Sequence, residues 1–191
     1  GKVDEYIGAG SNSTSTGYYL KKNYDPTSEI GMKSGLNLIL IRYADVLLMY
    51  AEAMNELGKM DEAVWNKTIR PLRLRAGFTD APALNYPTEG NMQTIIRRER
   101  RVELAFEGHR FWDMKRWRIA HLDVTQGGLN GFRGTALYPW YDIRDGKYVF
   151  ERGRNTPKQL RIFLEKNYYT KINQDDMNSN PNLIQNPGYT N

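Results

Sequence analysis

Wound as a helix, the stretch Asn37–Leu57 is apolar around most of its circumference. Leu40, Tyr43, Ala44, Leu47, Leu48, Ala51 and Met54 recur at helical spacing, and Val46, Tyr50, Ala53 and Leu57 make a second apolar face. Asp45, Glu52 and Glu56 leave only a narrow polar strip. Such a helix has to be covered on more than one side. Gly58 is placed to end it as the first residue beyond the cap, and Asp61 to cap the next helix. That second helix is expected to run to about Arg75, with Pro71 kinking or dividing it and Ala76-Gly77 closing it.

Ala51, Gly58 and Ala63 fall where a tetratricopeptide hairpin places small residues for close helix–helix contact. One such hairpin cannot bury both faces, and about three stacked repeats are needed for stability. No second clean repeat follows. The covering helices therefore come either from later in this chain or from sequence upstream of it.

The rest of the chain reads coarsely. Residues 1–36 are a loop-rich entry segment with a strand expected at Tyr18–Lys22. A linker covers Ala81–Asn91. A long helix follows from Met92 to about Glu107, broken at Gly108, with a further piece from His109 to about Ala120. Beyond His121, glycines punctuate short aromatic segments, Lys147–Glu151 reads as a strand, and the ending NSNPNLIQNPGYTN carries no helical signal. The expectation is a mainly α fold, residues 1–191 forming one domain. Tetratricopeptide-like helical hairpin packing holds the helical core, 37–120, and a long irregular, loop-rich C-terminal tail covers 121–191.

Composition removes several function classes. Cysteine is absent, so no disulfide or thiolate metal site exists within this sequence. His109 and His121 are the two histidines, too few for a His-rich centre. The longest apolar run, Leu38–Ile41, is far too short to span a bilayer. A net charge of +5 raises nucleic-acid binding as a reading.

That reading turns on residues 95–118, IIRRERRVELAFEGHRFWDMKRWR, which hold eight Arg and Lys against four acids. Met92, Ile95, Ile96, Val102, Ala105 and Phe106 mark a buried face. Glu99, Glu103 and Glu107 form an i, i+4 column beside it. Three glutamates in a column repel unless arginines interleave them, and Arg98, Arg100, Arg101 and Arg110 are placed to do so, within the helix or from a packed neighbour. An interlocked Arg/Glu brace fits this better than a phosphate-binding surface. Catalysis fits worse. The Glu-x-x-His pattern of a di-iron bundle is absent, because Phe106 stands three residues before His109. Carboxylates packed beside arginines make poor proton donors. The reading contains no metal site and no cofactor.

The same stretch resembles the signature of the SusD/RagB family of outer-membrane nutrient-binding proteins. The matching residues are Arg98-Glu99-Arg100, Glu103-Leu104, Phe106-Glu107-Gly108, His109-Arg110, Asp113 and Arg116-Trp117. Arg42-Tyr43-Ala44-Asp45 with Ala51-Glu52-Ala53 looks like the family's last tetratricopeptide-type hairpin, and Arg73 to Gly77 like its closing turn. Asn180-Pro181-Asn182-Leu183 and Gln185-Asn186-Pro187-Gly188-Tyr189 look like its C-terminal ending. The matches stand in the family's order between residues 37 and 191.

The resemblance implies a non-catalytic protein on the outer leaflet of a Gram-negative outer membrane. It implies capture of a nutrient, commonly an oligosaccharide, and its delivery to a SusC-like TonB-dependent transporter. It also implies that this chain is the C-terminal portion of a longer protein. Membrane association would then come through a lipid anchor on the N-terminal part, and nucleic acid would not be a partner.

No ligand-binding residue carries over by motif. Sugar rings stack on exposed aromatic faces, and Tyr138, Trp140 and Tyr141, with Asp142, offer that chemistry on a Gly-flanked loop. The same aromatics could equally anchor the tail on the helices. Trp65, Trp112 and Trp117 lie on helices and read as core. The rival readings are a tetratricopeptide-type peptide-binding adaptor and a glycoside-processing enzyme. The first needs further repeats and a carboxylate clamp, the second a carboxylate pair in an open cleft.

Overall fold

The computed structural model describes residues 20–25, 35–37, 39–130, 135–142, 147–155 and 161–190, the segments 135–142 and 147–155 by backbone alone. The described residues fall into two compact units, one within Asp25–Trp112 and one within Gly1–Tyr24 and Asp113–Asn191. The fold is mainly α, with one two-stranded hairpin.

The first unit holds α1 (Tyr43–Glu56), α2 (Glu62–Lys67), α3 (Ile69–Arg75), α4 (Ala81–Leu84) and α5 (Met92–Glu103). Ala44, Leu47, Leu48 and Ala51 of α1 pack against Trp65, Ile69, Leu72, Ile96 and Leu104. Each large aliphatic side chain buried there is worth about 1.5–3 kcal/mol. Trp65 is fully enclosed and donates its indole N–H to the Leu84 carbonyl at 2.8 Å, while Tyr86 meets its ring edge-on. This anchor explains why α4 forms inside the stretch expected to be a plain linker. Asp80 caps α4 from its side chain, with Pro82 in the first turn.

Several boundaries differ from expectation. Helix α1 starts at Tyr43, not Asn37, because Arg42 takes an extended conformation and turns its side chain toward α5 instead of capping α1. Among the described residues one face of α1 is covered; Val46, Tyr50, Ala53 and Leu57 of the second face stay exposed, as does Tyr43 of the first. Asp61 does cap the next helix, accepting the Val64 N–H at 2.8 Å. That helix divides at Thr68, three residues before Pro71. The reason is local: Pro71 has no N–H for the Lys67 carbonyl, and its ring crowds that carbonyl. Thr68 instead closes the break with a buried bond from Oγ1 to the Val64 carbonyl, 2.7 Å.

The small-residue pattern holds in part. Ala51 is fully buried, but Ala63 is exposed, and a side chain at Gly58 would meet nothing within 4 Å. Gly58 is there for its φ of +66°, which lets the Lys59 N–H reach the Met54 carbonyl at 2.8 Å and close the helix end.

Helix α5 stops at Glu103, four residues earlier than expected, so Glu107 sits in the following turn. Phe106 (φ +63°) and Gly108 (φ +81°) reverse the chain there. Helix α6 (His109–Arg116) then ends short of Ala120. Trp112 is not core: it is 66% exposed, with Phe111 edge-on to its ring. Trp117 is half-buried beneath the Arg116 guanidinium.

In the second unit, Met114, Ala120, Phe163 and Tyr168 form a small core with Ile119 and Leu129. Gly128 passes so close to the chain that a Cβ there would lie 2.0 Å from the Leu122 carbonyl oxygen. Strand β1 (Thr135–Asp142) pairs antiparallel with β2 (Lys147–Asn155), Trp140 opposite Val149 and Tyr141 opposite Tyr148. The segment read as a Gly-flanked loop is therefore strand. A two-stranded ribbon has edges on both sides and so tolerates Pro139. Helix α7 (Gln174–Ser179) lies in the tail and reaches the first residues of the ending expected to be non-helical. Tyr18 and Tyr19 lie outside the described residues. Leu20–Lys22 is not strand: Asn23 is left-handed at φ +60° and the Tyr24 N–H turns back to the Lys21 carbonyl.

Candidate functional site

The glutamates of the basic stretch are all held by arginines, and most of the arginines come from elsewhere in the first unit. Arg42 sits just before α1. Its Nε donates to Glu107 Oε2 at 2.7 Å, and its Nη2 to Glu107 Oε1 and Glu103 Oε1, both at 2.8 Å. The same Nη2 reaches the Glu103 main-chain carbonyl at 3.1 Å, one of the acceptors the end of α5 leaves unused. A cation is favoured at that end by the helix dipole. From α3, Arg73 pairs with Glu99 and lies 5.0 Å over the Trp65 ring, while Arg75 reaches Glu103 at 2.5 Å.

Arg100, expected beside the glutamates, is 5% exposed and bonds Asp45 of α1 at 2.7 Å. Arg98 and Arg101 are exposed, and among the described residues neither has an ion pair. Arg110 is half-buried. Arg42 and Arg73, noticed in the sequence only for the resemblance, thus supply missing partners. The signal available was the acid column itself, which required cations from a packed neighbour. The Arg42 guanidinium is held above its usual value, first by its hydrogen bond to Glu107 and against the pull of burial. An arrangement of this kind braces helices; it holds no free carboxylate poised to move a proton.

In the second unit, Asp113 is buried and accepts from Arg116 Nε at 2.9 Å. His121 finds acid and hydroxyl partners through the fold: its Nδ1 is 2.7 Å from the Tyr168 hydroxyl and its Nε2 3.1 Å from Glu165. The Tyr168 hydroxyl also receives the His121 main-chain N–H at 3.2 Å, and Arg118 lies over its ring at 4.2 Å. Tyr168 is only 9% exposed, so the group joins chain segments rather than facing a substrate. The C-terminal motif does similar work. Gln185 bonds both the N–H and the carbonyl of Ile172, Asn186 bonds the Thr170 carbonyl, and Tyr189 donates to the Tyr169 carbonyl.

Tyr138, Trp140 and Tyr141 are on β1, and their side chains lie outside the described residues. Among the described residues, no group of three or more His, Asp or Glu could hold a metal ion, and no helix is long and apolar enough to cross a membrane.

Comparison with known proteins gives a consistent result. The model of the SusD family matches residues 2–189. SusD-like protein P38 of Formosa agariphila is 37% identical over 117 residues, which is 59% of this chain and 22% of the relative. SusD-like protein P2 of the same organism is 39% identical over 105 residues, 52% of this chain and 20% of the relative. The solved structure of selenomethionine BT4246 superposes with a TM-score of 0.60 at 24% identity, over 83% of this chain and 26% of that one. The chain spans about a fifth of the length of these two curated relatives.

Proposed function

Because this chain belongs to the SusD family, we propose that it is part of a non-catalytic, cell-surface nutrient-binding protein that delivers its ligand, a glycan, to a SusC-like TonB-dependent transporter in the outer membrane. The observation that carries this reading is the family match across residues 2–189, which runs through both compact units. That continuity supports treating 1–191 as one C-terminal domain. The short span relative to the curated relatives and the open apolar face of α1 support a longer protein whose other helices cover that face. Its outer-leaflet attachment would then come from a lipid anchor outside this chain.

The ion-paired glutamates favour a scaffold over an enzyme. In this reading Tyr138, Trp140 and Tyr141 offer aromatic faces to sugar rings. The test uses the full-length protein. It should co-purify with the transporter from detergent-solubilised outer membranes and retain glycans on an array without cleaving them. Failure to co-purify, or release of shorter sugars from labelled glycans, contradicts the proposal. Trp140→Ala should lower glycan retention; unchanged retention removes the three aromatics from the site.

A further inference from the structure

The Arg/Glu brace leaves one signature residue without employment. Glu99 of the Arg98-Glu99-Arg100 run holds Arg73, and Arg100 holds Asp45, but Arg98 has no ion pair among the described residues. Arg98 lines a cavity of about 300 Å³ between the end of α3 and the face of α5. Leu72, Ala76, Phe78 and Val102 give that cavity an apolar lining, with Phe78 47% and Val102 68% exposed to it and to solvent. Glu99 and Glu103 also line it, but both are engaged: Glu99 by Arg73, Glu103 by Arg42 and Arg75. Arg73 and Arg98 line the cavity beside Glu99 and Glu103, and of these two arginines Arg98 is the one with no ion pair among the described residues.

We propose that this cavity is a binding site for a small monoanion, a single carboxylate carried on a short apolar stem. The size lies at the lower end of small-ligand sites. A guanidinium offers two parallel N–H donors to one carboxylate, and the apolar faces of Leu72, Ala76, Phe78 and Val102 suit a short apolar stem better than a polyhydroxylated ring. That favours an acylated amino acid or similar organic acid over a sugar acid. The cavity is lined by residues of the first unit alone, and the proposal does not depend on the glycan reading.

The test is a titration of the whole ¹⁵N-labelled chain, followed by NMR, with N-acetyl-L-leucine, its uncharged amide and D-glucuronate as probes. The acid should shift amides of residues 72–78 and 98–103, the amide probe should not, and glucuronate should bind more weakly than the acid. Arg98→Gln should weaken the acid at least about tenfold, the size of a lost charged hydrogen bond. That side chain is exposed and has no ion pair among the described residues, so the variant should fold normally. Val102→Ser should weaken the acid while keeping its preference over the amide. Equal shifts from acid and amide, unchanged affinity in the Arg98 variant, or stronger binding of glucuronate overturns the proposal.

Discussion

Arg42 and Asn130 each satisfy several distant groups at once, but they belong to regions built in opposite ways. Around Arg42, regular helices have already used their main-chain groups, and what remains to be joined is one side chain to another: Arg42 to Glu103 and Glu107, Arg73 to Glu99, Arg100 to Asp45. Around Asn130 the chain is irregular, and main-chain groups themselves lack partners. Asn130 Nδ2 donates to the His121 and Phe163 carbonyls at 2.5 and 3.2 Å, and its Oδ1 accepts the Phe163 N–H at 2.6 Å. Gln185 does the same for Ile172. The helical unit is locked by charge, the tail by neutral amides standing in for secondary structure.

The largest expected effect lies in the helical unit and involves no charge. Trp65→Ala should cost about 3–5 kcal/mol, because it empties a fully enclosed site and orphans the Leu84 carbonyl. Urea unfolding checks this, and a loss below about 1 kcal/mol would mean that α2 is not the centre of that core.

Next comes the tail. Asn130→Ala should cost about 1–3 kcal/mol by removing three hydrogen bonds to the main chain of His121 and Phe163. Hydrogen exchange should show lost protection at Phe163 and no change at Leu48. Equal loosening in both units would break the contrast drawn between them.

The smallest effect concerns acid sensitivity. The Thr125 main-chain N–H, followed by its hydroxyl, holds the Asp123 carboxyl below its usual value. Asp123 therefore stabilises its turn fully above the carboxylate's unfolded pKa, and that contribution is lost as pH falls through the lower folded value. Asp123→Ala should abolish the acid-dependent opening of Val124–Gly127 in hydrogen exchange. Arg42 has the opposite sign. Its raised value means that its contribution is present below the unfolded arginine pKa and fades only as pH rises through the folded one, in strong alkali.

What was legible in the sequence follows the same divide. The periodic apolar face of α1, the αL glycine at 58, the Asp61 cap and the need for cations beside the glutamate column were readable because each is a local rule. The partners were not readable. Arg42 and Glu107 stand 65 residues apart, and Arg98, Arg100 and Arg101 were equally good candidates until packing chose among them. The end of α5 was missed because Val102, Ala105 and Phe106 continue the helical period in sequence, while the chain turns at a left-handed Phe106 and the next residue, Glu107, is held by the distant Arg42. In the tail, Asn130 and Gln185 carry no periodic signal at all. Their roles depend on which main-chain groups irregular folding leaves unpaired.

A double-mutant cycle on Arg42→Met and Glu107→Gln, followed by equilibrium unfolding, probes the charge-locked helical unit at a two-pronged contact. The two side chains share two hydrogen bonds, at 2.7 and 2.8 Å, between the start of α1 and the turn after α5. If this basic stretch is a brace joined to its neighbours, the two substitutions should couple by about 1–3 kcal/mol. Losses that simply add, within about 0.5 kcal/mol, would contradict it and return the stretch to an exposed cationic surface.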